Sequence, residues 1–188
     1  MFPIYEQGKG KGIGYNSQSF SERFDAICHE HLRQKRARAF AFIFYDFGDQ
    51  KFRQVLKNQG VFAELDRLSG SDLSVFYLHS ARRQTVDRFN AEFLKRLGVA
   101  DDVRRPCVVF FRVKDKNIED VAVAQLDSAD LIHGFRELYG VIERYIKENL
   151  HKPPGEAMKN LRWFKGGTMF MSIEAFRALL KSALEKLL

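Results

Sequence analysis

The sequence predicts an α/β fold built on a mixed central sheet, and three observations carry that reading. The run Ala39 to Phe47, AFAFIFYDF, is almost continuously apolar. It is too short to stand as a helix and too apolar for a strand wetted on one face, so it reads as a central strand covered on both sides. Strand and helix patterns alternate after it, which implies a right-handed parallel crossover. A proline-led apolar strand and a short turn then set up an antiparallel hairpin, so one sheet holds both strand directions.

The elements follow in order. Gln7 to Asn16, QGKGKGIGYN, alternates glycine with other residues, which favours neither helix nor packed strand, and residues 1–18 read as a flexible Gly/Lys leader. Ser19 with Glu22 can form a capping box for a helix whose apolar positions are Phe24, Ile27, Cys28 and Leu32. That helix ends in the basic run RQKRAR at 33–38. After the central strand, Gly48, Asp49 and Gln50 punctuate, and a helical pattern runs through Phe52, Val55, Leu56, Phe62, Leu65 and Leu68. Asn58, Gln59 and Gly60 interrupt it as a kink or a break. Leu73 to Leu78 is the second strand, and Thr85 to Leu97 a helix with Val86, Phe89, Phe93, Leu94 and Leu97 on one face. Pro106 leads the strand Cys107 to Val113, and a turn through Lys114 to Asn117 returns as Glu119 to Leu126. Asp127 or Ser128 caps a helix running to about Asn149, with Leu131, Ile132, Phe135, Leu138, Tyr139, Ile142 and Ile146 inward.

Pro153, Pro154 and Gly155 mark a linker, so the organisation expected is a domain over 19–150 followed by an extension over 151–188. Within the extension, Leu161 to Met171 is a short extended or hairpin segment. A last helix from Ser172 carries Ile173, Phe176, Leu179, Leu180, Ala183, Leu184 and Leu187 at amphipathic spacing. Its apolar face needs a surface to pack on, either this domain or a partner.

Composition narrows the function classes. The chain has 188 residues, 45% hydrophobic and 29% charged, the balance of a globular protein with one substantial core. Its 18 phenylalanines fall in short runs broken by charge, and no stretch approaches the roughly 20 apolar residues of a membrane span. The N-terminus lacks the charged-then-apolar order of a secretory signal, and Cys28 and Cys107 give no disulfide framework, which together suit a cytoplasm. A net charge of +7 and a pI near 9.5 favour anionic partners without reaching the density of a nucleic-acid arm.

The order of elements over about 38–150 resembles the thioredoxin superfamily. The strand AFAFIFYDF before a loop and helix, the segment VADDVRRPCVVFFRV at 99–113, and the closing hairpin and helix carry the likeness. The resemblance implies a three-layer α/β/α arrangement with an N-terminal helix and a C-terminal helical extension added, and a cis bond at Pro106. It also places that family's paired redox cysteines between the first core strand and its helix. Here that stretch reads Phe47, Gly48, Asp49, Gln50, Lys51, Phe52, without a thiol. Dithiol chemistry needs a thiolate nucleophile and a resolving partner, so the family's reaction does not carry over.

Several constellations remain to be weighed. Cys107 beside Pro106 is the candidate for single-cysteine redox chemistry, although a cysteine opening an apolar strand ordinarily behaves as a small buried hydrophobe. Cys28 and His31 share a helix face, but no second ligand pair accompanies them, so no metal site is expected. GKGKGIG lacks the strand, spacing and Lys-Ser or Lys-Thr of a phosphate loop. The basic residues are more suggestive. If the strands assemble as the resemblance implies, the loops Gly48 to Lys51 and His79 to Arg83 come to one end of the sheet near Arg104, Arg105 and Pro106. Lys51, Arg82, Arg83, Arg104 and Arg105 then converge on a phosphate, a carboxylate or an acidic protein surface. The competing and favoured reading is a solvated ion network with Asp46, Asp49, Asp101 and Asp102. The aromatics near RQKRAR belong to the core strand, which disfavours nucleic-acid binding. Together these point to a non-catalytic module without a cofactor, binding a protein partner or a second copy through the basic end or through Phe176, Leu180, Leu184 and Leu187.

Overall fold

The structure is a computed structural model and describes residues 39–70, 72–78, 82–96, 103–114, 117–126, 131–150, 164–165 and 171–172, with single positions 175 and 178. The expected leader, N-terminal helix and linker lie outside the described residues, as do Phe176, Leu180, Leu184 and Leu187 of the last helix.

The AFAFIFYDF run forms the central strand, though only as β1, Ala39–Phe44. It pairs in parallel with β2, Leu73–Tyr77, and antiparallel with β3, Cys107–Lys114. Tyr45 and Phe47 extend the apolar pattern without extending the strand. Tyr45 is buried beside the strand end, where its hydroxyl donates to the Leu78 carbonyl at 2.9 Å. At Asp46 the chain has already turned, with the Asp49 N–H donating to the Asp46 carbonyl at 3.0 Å.

The interrupted helical pattern is a true break. α1, Gln50–Lys57, and α2, Gln59–Ser69, meet at Asn58, whose backbone is extended. The Asn58 N–H donates to the Val55 carbonyl at 3.1 Å and closes α1, while its Oδ1 accepts from the Gly60 N–H at 2.9 Å and opens α2. Gly70, at φ +52°, ends α2 in a conformation that a Cβ would penalise. The next helix, α3, is Arg83–Arg96, two residues earlier at its start than the apolar spacing suggests.

β4, Asn117–Gln125, returns along β3 as the expected hairpin, with a register shift between Phe110 and Arg112. α4, Leu131–Tyr145, runs directly into a π turn, Ile146–Leu150. Its expected cap at Asp127 or Ser128 lies outside the described residues. Two short strands, β5 at Phe164–Lys165 and β6 at Met171–Ser172, pair antiparallel with the outer edge of β4. The sheet order is therefore β2-β1-β3-β4-β5, with β6 also on β4. The fold is α/β, a mixed four-strand core sheet with four α-helices among the described residues, and is compatible with a thioredoxin-like arrangement.

Alternation along β1 sends its side chains to two different environments. Ala41 and Ile43 share one face with Val75, Val108, Phe110, Ala122 and Ala124, packed by Phe52, Val55 and Leu56 of α1, Leu65 of α2, and Leu138, Ile142 and Tyr145 of α4. Phe110 and Tyr145 stack there at 4.1 Å. The other face is aromatic. Phe42 lies 5.3 Å from Phe76, 5.2 Å from Phe111 and 6.0 Å from Phe93 of α3, and Phe44 lies 5.9 Å from Phe89 of α3. Such tilted and edge-on pairs add to the area each ring buries. The many phenylalanines are thus explained by a core with helices on both sides of one short strand.

Candidate functional site

The end of the sheet where β1 and β2 finish and β3 begins gathers the loops in question. Phe44 stands across from Cys107, and Ile43 across from Tyr77, so the segments after β1, after β2 and before β3 leave the sheet at one end. The first of these is fixed by its own side chains. Asp49 caps α1, its Oδ1 accepting from the Phe52 N–H at 2.9 Å. Arg53, one turn on, lays its guanidinium over the Phe47 ring at 4.0 Å and donates from Nη1 to the Phe47 carbonyl at 3.2 Å.

The second tie comes from α3. Asn90 is buried, and its Nδ2 donates to the Tyr45 carbonyl at 2.8 Å. With the Tyr45 hydroxyl bound to Leu78, one chain of bonds joins α3 to the ends of β1 and β2 immediately before both loops. A buried carbonyl past a strand end needs such a donor.

The third tie crosses to β3. The Arg105–Pro106 bond is cis, and the Pro106 carbonyl accepts from the Leu126 N–H at 2.9 Å, carrying the β3–β4 pairing to its end. Arg105 Nε lies 3.1 Å from Asp46 Oδ1. Cys107 is fully buried behind them. Burial pushes its thiol up to about 12, with nearby Arg105 acting to lower it and Asp46 to raise it.

Of the five basic residues singled out from sequence, Lys51 is exposed in the first turn of α1 and Arg104 is exposed before the cis bond. Arg82 is exposed just ahead of α3, and Arg83 opens that helix with Nε 3.3 Å from Asp87 Oδ2. Of the residues in the ion network weighed from sequence, Arg105 pairs with Asp46 and Asp49 caps α1; Asp101, Asp102 and residues 79–81 lie outside the described residues. The sequence reading did not single out Arg53 or Asn90. For Asn90 a signal existed, an asparagine on the same helix face as Phe89, Phe93 and Leu94; for Arg53 there was none.

Among the described residues no three His, Cys, Asp or Glu side chains are grouped to hold a metal ion, and no helix is long and apolar enough to cross a membrane. Cys28 and His31 lie outside them. Comparison of the chain with protein-family models, with curated proteins and with solved structures gives no match.

Proposed function

We propose that the chain is a thioredoxin-like, three-layer α/β/α protein without thiol chemistry, a non-catalytic module that binds an acidic protein surface with the basic end of its sheet. Several features support the fold half of this reading. The strand order is β2-β1-β3-β4, with β1 and β2 parallel and the remaining pairs antiparallel. A helix follows the central strand, and a proline leads β3.

The observation that carries the non-catalytic reading is the condition of the thiol at this end. Cys107 is 0% exposed and its thiol is raised from 9.0 to about 12, so almost none is thiolate at neutral pH, and thiolate is the nucleophile. On three segments that leave the same end of the sheet, Lys51, Arg82, Arg83, Arg104 and Arg105 supply positive charge. The ion pairs that Arg83 and Arg105 make are largely solvated, worth at most about 1 kcal/mol each, and yield readily to a carboxylate on a partner.

Two measurements test the absence of thiol chemistry and the binding surface separately. Native protein titrated with an alkylating reagent at neutral pH, with the modified sites assigned by mass spectrometry, leaves Cys107 untouched until the protein unfolds. Fast, selective modification of Cys107 moves the function to single-cysteine redox chemistry. On an immobilised polyglutamate matrix, Arg82→Glu with Arg104→Glu lowers the salt needed for elution more than Arg88→Glu with Lys95→Glu, which changes net charge equally on α3. Equal elution of the two variants rules out the basic end as the binding surface.

A further inference from the structure

The turn after β1 holds the Asp46 carboxylate in place without binding it to the backbone. Three successive carbonyls there are hydrogen-bonded: Tyr45 accepts from Asn90 Nδ2 at 2.8 Å, Asp46 from the Asp49 N–H at 3.0 Å, and Phe47 from Arg53 Nη1 at 3.2 Å. The donors belong to α3, to the turn itself and to α1, so the backbone on both sides of Asp46 is tied to a helix. What freedom its side chain keeps is rotation about its own χ angles. Asp49, three positions on, is committed to the α1 cap. Asp46 caps nothing: among the described residues its side chain has one partner, Arg105, with Oδ1 3.1 Å from Nε.

Arg105 is anchored from the other side. The residue after it carries the pairing of β3 with β4 to its end, through the Pro106 carbonyl and the Leu126 N–H at 2.9 Å. A guanidinium has five donors in a planar fork that matches a carboxylate two bonds at a time. Asp46 reaches one of them, Nε, and so blocks that edge to another carboxylate without filling it. A contact of this kind, partly exposed on both sides, adds little to stability. The Arg83–Asp87 pair at the same end follows from the spacing of one helix. The Arg105–Asp46 pair follows from no such spacing; it joins the turn after β1 to the segment before β3.

We infer that Arg105 is the seat for a carboxylate of the acidic partner, and that Asp46 is an internal stand-in which the partner's carboxylate displaces. The inference rests on the reading of the basic end as the binding surface, and adds how that surface is kept closed. Asp46 is part of the same chain, so its effective concentration at Arg105 exceeds that of any dilute carboxylate in solution. A lone carboxylate therefore does not displace it. An acidic segment drawn to Lys51, Arg82 and Arg104 by charge brings its carboxylates to a comparable local concentration, and one of them then takes Nε and the adjacent Nη of Arg105 together. Asp46 thus admits clustered acidic residues to this end and keeps out isolated ones.

The test measures binding of the full chain to a fluorescein-labelled glutamate octapeptide by anisotropy, as a double-mutant cycle of Asp46→Asn and Arg105→Gln. Asp46→Asn is expected to bind tighter than wild type, and the gain to be about two- to fivefold larger with Arg105 present than in the Arg105→Gln chain, the range a solvated ion pair sustains. Loss of bulk negative charge acts equally in both backgrounds and cancels. Equal gains overturn the inference, since Asp46 then only repels the peptide. So does weaker binding of Asp46→Asn, which makes Asp46 a contact of the partner. Arg82→Glu with Arg104→Glu, set against Arg88→Glu with Lys95→Glu on the same peptide, keeps the two readings apart. Equal gains in the cycle with that contrast intact remove only the role of Asp46; no contrast removes the basic end as the binding surface, and this inference with it.

Discussion

Alkaline pH is the perturbation that reads the buried end of β3 most directly. The Cys107 thiol is raised from 9.0 to about 12 and the Tyr45 phenol from 10.0 to about 12, in both cases chiefly by desolvation. Below pH 9 the folded and unfolded chains both hold these protons and stability does not depend on them. Between about pH 9 and 12 the unfolded chain releases the Cys107 proton while the folded chain keeps it, so the unfolded state gains and stability falls as pH rises. With each pKa unit worth 1.36 kcal/mol, the loss at about pH 10.5 is about 2 kcal/mol from Cys107 and about 1 kcal/mol from Tyr45. That is a large part of a typical total of about 5–15 kcal/mol. Urea unfolding followed by circular dichroism at about pH 8 and about pH 10.5, on wild type and Cys107→Ser, isolates the thiol, because any cost of the substitution that is independent of pH cancels between the two conditions. Wild type is expected to lose about 2 kcal/mol more than the variant. Equal losses refute the reasoning: the thiolate is then as well solvated in the fold as in the unfolded chain, and single-cysteine chemistry returns as the better reading.

Phe42→Ala, which removes a buried ring with partners on β2, β3 and α3, is expected to cost about 3–5 kcal/mol and to lower Tm by roughly 6–20 °C in calorimetry; a cost under about 1 kcal/mol contradicts the two-sided core. Asn90→Leu leaves the Tyr45 carbonyl buried without its Asn90 donor and costs about 1–3 kcal/mol by urea midpoint, whereas an unchanged midpoint shows that this bond is dispensable. Asp49→Ala takes the cap from α1 and costs about 1 kcal/mol, with faster amide exchange at Phe52 as the local signature. Asp46→Asn breaks a pair whose side chains are 46% and 33% exposed, so its stability cost stays below about 1 kcal/mol and shrinks further in concentrated salt; a cost above about 2 kcal/mol places that pair in the core of the fold.

What was legible in the sequence is what burial writes into residue type. β1, β2 and β3 declare themselves because strands covered on both faces must be apolar at successive positions, and α4 because a one-sided helix must repeat its apolar residues at helical spacing. The same rule misplaced the end of β1. Tyr45 and Phe47 are apolar because they pack beside the strand end and under Arg53, so the pattern continues past the last ladder residue. α3 begins at Arg83 rather than Thr85 because residues 83 and 84 are polar and exposed and carry no periodic signal. Asn58 was visible as an interruption, and only the geometry shows one asparagine closing one helix with its backbone and opening the next with its side chain. Polar contacts across the fold were the least legible: Arg105 pairs with Asp46 and Asn90 with Tyr45 across 59 and 45 positions of sequence, and nothing local in either residue names its partner.

The alternation of β3 adds an argument against thiol chemistry that burial alone does not supply. Val108 and Phe110 point to the face packed by α1, α2 and α4, so Cys107 points to the other, with Phe44 opposite and α3 laid over it. A nucleophile at the start of α1, where the resemblance would put one, works in front of the N-terminus of that helix, whose dipole lowers a thiol pKa. Cys107 has no share in that effect, and the N-terminus of α1 is already occupied by the Asp49 carboxylate. Exposing Cys107 would therefore remove the desolvation that raises its pKa without supplying the electrostatics that make a thiolate. The same end of the sheet carries the exposed residues Lys51, Arg82, Arg83 and Arg104 on the segments that leave it.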